Sequence, residues 1–241
     1  MHMTVALVIA GGVGSRMGAN VPKQFVEVEG KPVLFYTLEA FERHPMVDAI
    51  DLVLIEGWEK DVEAWKDRYG ITKLKWIVKG GASGQESIRN GVFGLEDKCT
   101  GEDIVIIHDG IRPLVEPAVL DDVIAKARQF GSGVTSMPYN EQIFLVDEEN
   151  SAITRKYIPR ETLRRVATPQ AYRFDLLDAA YHEAFEKKIG IYGSSYTNTM
   201  MVELGHELHF AAGSDKNLKL TTPGDLEIFR AYLANQRQGK C

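Results

Sequence analysis

The feature that most constrains this chain is an apolar run ending in glycines. Residues 5–10, VALVIA, are a continuous run of β-branched and other apolar residues, the pattern of a strand buried on both faces, and they pass straight into Gly11-Gly12-Val13-Gly14. Such a strand belongs to a parallel sheet covered by helices on both sides. Three glycines let the backbone turn sharply and approach a bound group, and successive backbone N–H donors there suit a phosphate. Arg16 and Lys23 follow. A planar guanidinium fork beside a compact ammonium suits a ligand with several phosphates. A dinucleotide fingerprint would place a third glycine where Met17 stands, and a P-loop would need Gly-Lys-Ser/Thr opening a helix. The stretch therefore reads as a nucleotide loop of another kind. The plainer alternative is a strand-to-loop turn with basic residues in solvent.

The rest of the chain is consistent with one α/β unit spanning residues 1–241. At 241 residues it is long enough for a sizeable core. A net charge of −6 argues against a nucleic-acid surface, although a nucleotide site can be locally positive in an acidic protein. Cys99 and Cys241 are too far apart in sequence to suggest a disulfide framework or a metal-ligand spacing. No apolar run approaches the ~18 residues of a membrane span, so the expectation is a reduced, cytoplasmic protein. Strands are predicted at 50–55, 75–78, 104–108 and 134–137, and helices at 32–41, 59–69, 117–130, 175–188 and 223–235, with another opened by the glycine turn at 80–87 and running to about 95. Trp65 and Tyr69, four apart on a helix, are expected to pack on the sheet. The rhythm breaks at 143–157, where Ile143 to Val146 and Ala152 to Tyr157 flank a turn at Asp147-Glu148-Glu149-Asn150 and read as a β-hairpin.

Two further turns carry chemistry. Gly80-Gly81-Ala82-Ser83-Gly84-Gln85-Glu86-Ser87 follows one predicted strand, and its serines suit helix capping. His108-Asp109-Gly110-Ile111-Arg112-Pro113 follows a fully apolar one. A carboxylate at the carboxyl end of a central parallel strand lies where α/β proteins bind ligands, and a hard oxygen there suits Mg²⁺. From the residues alone Asp109 is equally an ion-pair partner of Arg112 or a helix cap. His108 reads as structural.

Ala10-Gly11-Gly12-Val13-Gly14-Ser15-Arg16-Met17 and Pro22-Lys23-Gln24-Phe25 together resemble the signature of the cytidylyltransferases that load CTP onto polyol phosphates. That family includes the methylerythritol-phosphate and ribitol-phosphate enzymes, and the resemblance extends to near Leu226. It implies a Rossmann-like fold of the nucleotide-diphospho-sugar transferase type, with a β-hairpin arm at about 139–158 that reaches over the second subunit of a homodimer. It implies CTP, a polyol phosphate and Mg²⁺ or another divalent cation. By resemblance Arg16, Lys23 and Lys219 are catalytic. Ala10, Gly11, Gly12, Gly14, Gly81, Ser87 and Asp109 bind the nucleotide, with Asp109 also the metal ligand. Arg160, Thr168 and Gln142 bind the acceptor, Gln142 reaching the site of the other subunit near its Arg160 or Thr168.

Three positions depart from the family pattern. Gly84 stands where Arg is usual, and Gly84-Gln85 with Gly110 favour the ribitol branch over methylerythritol phosphate. The stretch Tyr196-Thr197-Asn198-Thr199 replaces a Thr-Asp pair, so a second carboxylate is missing. Gln142 replaces an arm Thr. The missing carboxylate also motivates a rival reading, a nucleotide-binding regulatory protein that has lost turnover.

Overall fold

The computed structural model describes residues 2–12, 21–193, 196–237 and 239. Its centre is a sheet of seven strands in the order β11-β7-β10-β6-β1-β4-β5. These are β1 (Thr4–Ala10), β4 (Ala49–Leu54), β5 (Leu74–Lys79), β6 (Ile104–Asp109), β7 (Ser132–Pro138), β10 (Arg164–Arg173) and β11 (Phe210–Ala212). β1 lies between β4 and β6 and runs parallel to both, while β10 is antiparallel to its neighbours β6 and β7. The sheet is thus mostly parallel, with one reversed strand, as the continuous apolar runs of β1 and β6 foretell.

The alternation of β1 sends its side chains into two cores. Ala6 and Val8 face α1 (Val33–Arg43), α2 (Glu59–Tyr69) and α4 (Pro117–Phe130). Val5 and Leu7 face α3 (Gly84–Phe93), α5 (Phe174–Lys187) and α6 (Thr197–Glu203). Leu120, Val123, Ile124 and Ala127 bury one stripe of α4, whose end is set by Gly131 at φ +86°. A third cluster joins α7 (Pro223–Arg237) to Val33, Ile111, Leu220 and the ribbon of β2 (Glu27–Val28) and β3 (Lys31–Pro32). α3 lies close on the sheet because Gly91 has no side chain. A β-carbon there would stand 2.5 Å from Leu7 Cδ1 and 2.8 Å from Val53 Cγ2.

The hairpin forms from β8 (Ile143–Leu145) and β9 (Lys156–Ile158), with Phe144 opposite Tyr157. Its second strand begins later than the sequence suggests, because residues 151–154 stay in the turn, where Ile153 N–H donates to Asn150 O. Trp65 and Tyr69 pack inward from α2 as expected. They belong to the core on one face of the sheet, and their rings pack edgewise and tilted on Phe35 of α1 at 5.8 and 5.2 Å. Among the described residues, no helix is long and apolar enough to cross a membrane.

Candidate active site

The two glycine turns meet at the carboxyl ends of β1 and β5. A β-carbon on Gly80 would lie 3.1 Å from Gly11 Cα, so the two backbones are in contact. Ser87 locks the junction. Its hydroxyl accepts the Gly81 N–H at 3.0 Å, and a β-carbon on Gly11 would meet the same oxygen at 3.1 Å. Gly81 is constrained further, since its β-carbon would stand 2.3 Å from Glu86 Cβ. Ser83 caps α3 by accepting the Glu86 N–H, and the Glu86 carboxylate accepts the Ala82 N–H at 2.7 Å. The turn is therefore held from both sides, and its tight closure on Glu86 and Ser87 requires glycine at 81.

The first loop is pinned by a residue to which the sequence reading gave no role. Gln24, in the short 3₁₀ turn Lys23–Phe25, is buried and donates its amide to Ala10 O at 2.8 Å and Gly12 O at 3.0 Å. That pair of hydrogen bonds ties the turn carrying half-buried Lys23 to the loop backbone. Gly14 and Arg16 lie outside the described residues.

Asp109 ends β6 in register with Ile9 of β1. Its Oδ2 lies 2.9 Å from Arg112 Nε and 3.1 Å from Lys219 Nζ. Burial alone would raise the Asp109 carboxyl, but Lys219 and Arg112 outweigh it and hold the group at about 2. It is ionised at any working pH. Arg112 Nη1 donates to Asn217 O at 2.9 Å, Asn217 Nδ2 donates to Thr168 O at 2.6 Å, and Leu220 N–H donates to Ile111 O at 2.9 Å. This stitching brings Lys219, from the loop before α7, to the end of β6. Thr168 completes the group by accepting the Asp109 N–H at 3.1 Å. His108 is fully buried, with Nε2 3.0 Å from Arg112 O. Burial depresses it to about 4, so it is a neutral support for the Arg112 turn.

Two cations against one carboxylate leave the site electropositive, suited to phosphates. Among the described residues, the second oxygen of Asp109 carries no hydrogen bond or ion pair. One available carboxylate oxygen fits a divalent cation that is held largely by phosphates and water. A different group of possible ligands, Glu96, Asp178 and His182, lies at the surface, with His182 Nε2 3.0 Å from Glu96 Oε1.

Asp109, Thr168 and Lys219 line a cavity of about 970 Å³ that extends past the start of α3 to Tyr192 and the first turn of α6. That is large enough for a nucleotide with a second small molecule. Arg160 and Gln142 are placed elsewhere. Both are exposed and line a separate depression of about 420 Å³ at the root of the hairpin, with Phe144 and Tyr157. Arg160 Nη1 donates to Asn140 O at 3.3 Å. The structure thus groups Lys219, Asp109 and Thr168 in one place, Ala10, Gly11, Gly12, Gly81 and Ser87 in another beside it, and the arm pair apart.

Comparison with known proteins follows the same lines. The family model described as IspD, 2-C-methyl-D-erythritol 4-phosphate cytidylyltransferase, matches residues 4–235. The ribitol-5-phosphate cytidylyltransferase of Lacticaseibacillus paracasei is 56% identical over 231 residues, covering 96% of this chain and 98% of that protein. The 2-C-methyl-D-erythritol 4-phosphate cytidylyltransferase of Geobacter metallireducens is 36% identical, covering 95% and 96%. Among solved structures, the 4-diphosphocytidyl-2C-methyl-D-erythritol synthase of Anaerococcus prevotii superposes with a TM-score of 0.81 at 21% identity, covering 97% of this chain and 99% of that one. The last likeness speaks to the fold.

Proposed function

Since the chain belongs to the IspD family of cytidylyltransferases, we propose that it transfers CMP from CTP to D-ribitol 5-phosphate, giving CDP-ribitol and pyrophosphate. The observation that carries the choice of acceptor is the near full-length 56% identity to a ribitol-5-phosphate enzyme, against 36% to a methylerythritol-phosphate one. The site accounts for the chemistry. A phosphate oxygen of the acceptor attacks the α-phosphorus of CTP. One P–O bond forms as the bond to the β-phosphate breaks, and pyrophosphate leaves with the electron pair. Such transfer needs positioning and charge neutralisation more than a general base.

Each residue has a part in that step. The Gly81 turn, clamped by Ser87, admits a flat pyrimidine. The loop from Ala10 through Gly11, Gly12 and Gly14 cradles phosphates, with Arg16 and Lys23 on the triphosphate. Lys219 neutralises the oxygens of the transferred phosphate, and Thr168 and Arg160 take the acceptor. Asp109 would hold Mg²⁺ or another divalent cation, which supplies Lewis-acid neutralisation of phosphate charge when bound. Asp109 also fixes Lys219 and Arg112 beside the reacting centre. The missing carboxylate near Thr197 leaves the phosphates and water as the other metal ligands. The exposed hairpin supports a homodimer, in which Gln142 and Arg160, sharing one depression at its root, reach the other subunit's site together.

Pyrophosphate release with CTP, Mg²⁺ and a panel of polyol phosphates tests the reading. D-Ribitol 5-phosphate should give the highest kcat/KM. Preference for 2-C-methyl-D-erythritol 4-phosphate would move the chain to the isoprenoid branch. Tight CTP binding without turnover on any acceptor would make it a nucleotide-binding regulator.

A further inference from the structure

One wall of the cavity is formed by three segments: the start of α3, residues 191–193 and the first turn of α6. They are joined beneath the floor by a chain of neutral hydrogen bonds. Gln85 Nε2 donates to Gly190 O at 2.7 Å, and Gln85 Oε1 accepts from Tyr181 OH at 3.0 Å. Tyr181 OH and Thr197 Oγ1 are 2.7 Å apart. Because the phenol has one proton and gives it to Gln85, Thr197 must donate to Tyr181, so the chain has a single direction. It is sealed from water: Gln85 is 4% exposed, Tyr181 0% and Thr197 2%. Buried polar links of this kind fix geometry, since each broken link strands a group without water.

A second contact ties the same segments. Gly190 sits at φ +61°, and a β-carbon there would lie 2.6 Å from Met200 Cα, so the 190 backbone rests directly on α6. Thr197 is the first residue of α6, and its neighbours Tyr196 and Asn198 line the cavity. Tyr196 faces the catalytic group, its ring centroid 6.0 Å from Lys219 Nζ. Asn198 makes no side-chain hydrogen bond to any described residue. This is also the stretch where a family carboxylate is replaced by neutral residues.

We propose that Gln85 and Tyr181 are positioning residues for the polyol phosphate, holding the first turn of α6 so that Tyr196 and Asn198 meet the acceptor's hydroxyls. The inference rests on the cytidylyltransferase reading and assigns these residues no contact with the reacting atoms. Tyr181→Phe and Thr197→Val cut the link on the acceptor side and leave the Gln85 bond to Gly190 in place. Each should raise the KM for D-ribitol 5-phosphate at least fivefold, with kcat and the KM for CTP within twofold of wild type. The double variant should be no worse than the poorer single one. Thr197→Ser keeps the hydroxyl and should restore wild-type values, and the Thr197 pair decides the matter if Tyr181→Phe fails to fold. An unchanged acceptor KM in folded variants would overturn the proposal. So would a rise in both KM values that tracks the loss of thermal stability. If wild type ignores ribitol 5-phosphate but uses another polyol phosphate, the acceptor reading fails, and the same KM split on that substrate still judges the positioning.

Discussion

Lys219 Nζ lies 3.1 Å from Asp109 Oδ2, joining the loop before α7 to the carboxyl end of β6. The same oxygen takes Arg112, so one carboxylate organises two cations that face the cavity. Asp109 thereby does two things at once. It keeps an electropositive patch from repelling itself apart, and on the proposed reading it also serves a phosphate-borne divalent cation.

This coupling gives the first prediction. Lys219→Met removes a phosphate partner and lets the Asp109 carboxyl rise from about 2 toward the ordinary range. kcat should fall on the order of a hundredfold, the scale for one electrostatic contact to a transition state, while CTP binding weakens much less. Asp109→Asn should be comparably damaging, and the double variant little worse than either single, because the two act as a unit. Additive losses in steady-state kinetics would show that the pair does not work jointly.

The second concerns Gly81. Its missing β-carbon would overlap Glu86 Cβ at 2.3 Å, so Gly81→Ala must displace the turn that Ser87 clamps. On the proposed reading that this turn holds the base, the KM for CTP should rise roughly tenfold or more, as the displaced turn misplaces the nucleotide by about an ångström. Gly224→Ala, whose β-carbon would meet only Thr222 at 3.8 Å in α7, should leave kinetics alone and stabilise by about 0.5–1 kcal/mol. Titration of CTP by calorimetry separates the two.

Much of this was readable in the residues, and the failures have physical causes. The apolar runs of β1, β4 and β6 and the glycines behind them showed a parallel sheet and its ligand edge, because burial on both faces leaves no room for polar alternation. β10 was not recognised: Thr168-Pro169 interrupts it and its first residues are exposed and basic, so it carries no strand period, yet it is the reversed strand that places Thr168 beside Asp109. α6 is only seven residues long and too short for a helical stripe. Gln24 and Gln85 work through backbone carbonyls distant in sequence, and no local pattern marks a buried amide.

A third prediction takes two buried ionisable groups with opposite pH signatures. His108 is held at about 4 by burial, so the unfolded chain takes up a proton that the folded chain refuses. Stability from this group falls as pH drops from about 6.5 to 4. Asp51, buried on β4 with neither carboxylate oxygen hydrogen-bonded, is raised by desolvation to about 7. It keeps its proton when folded, so its contribution is lost as pH rises from about 4 to 7, amounting to about 4 kcal/mol above that range at ~1.36 kcal/mol per unit. Asp51→Asn should flatten the alkaline side of the stability curve. In urea titrations the variant should gain on wild type between pH 5 and pH 8. Parallel curves for the two proteins would mean that Asp51 is ionised in the fold.

The last prediction concerns the hairpin. Phe144 is 55% exposed, Val146 68% and Tyr157 68%, on a two-stranded ribbon that makes a sheet of its own. Such a ribbon is marginal in water unless something covers it, and exchange across a twofold axis would cover both copies at once. Arg160 and Gln142 share one depression at its root, so whatever site receives the arm receives both together. Complementation must therefore pair an arm residue with a cavity residue. Arg160→Ala and Lys219→Met should each be nearly inactive. In a mixed dimer, the cavity with intact Lys219 meets the arm with intact Arg160. Equal mixing with free reassortment should then restore activity to about a quarter of sites. Tyr157→Glu, which places a charge on the covered face, should give a monomer by sedimentation with turnover lost. A fully active monomer would place the arm outside catalysis, and no recovery on mixing would place Arg160 in its own subunit's site.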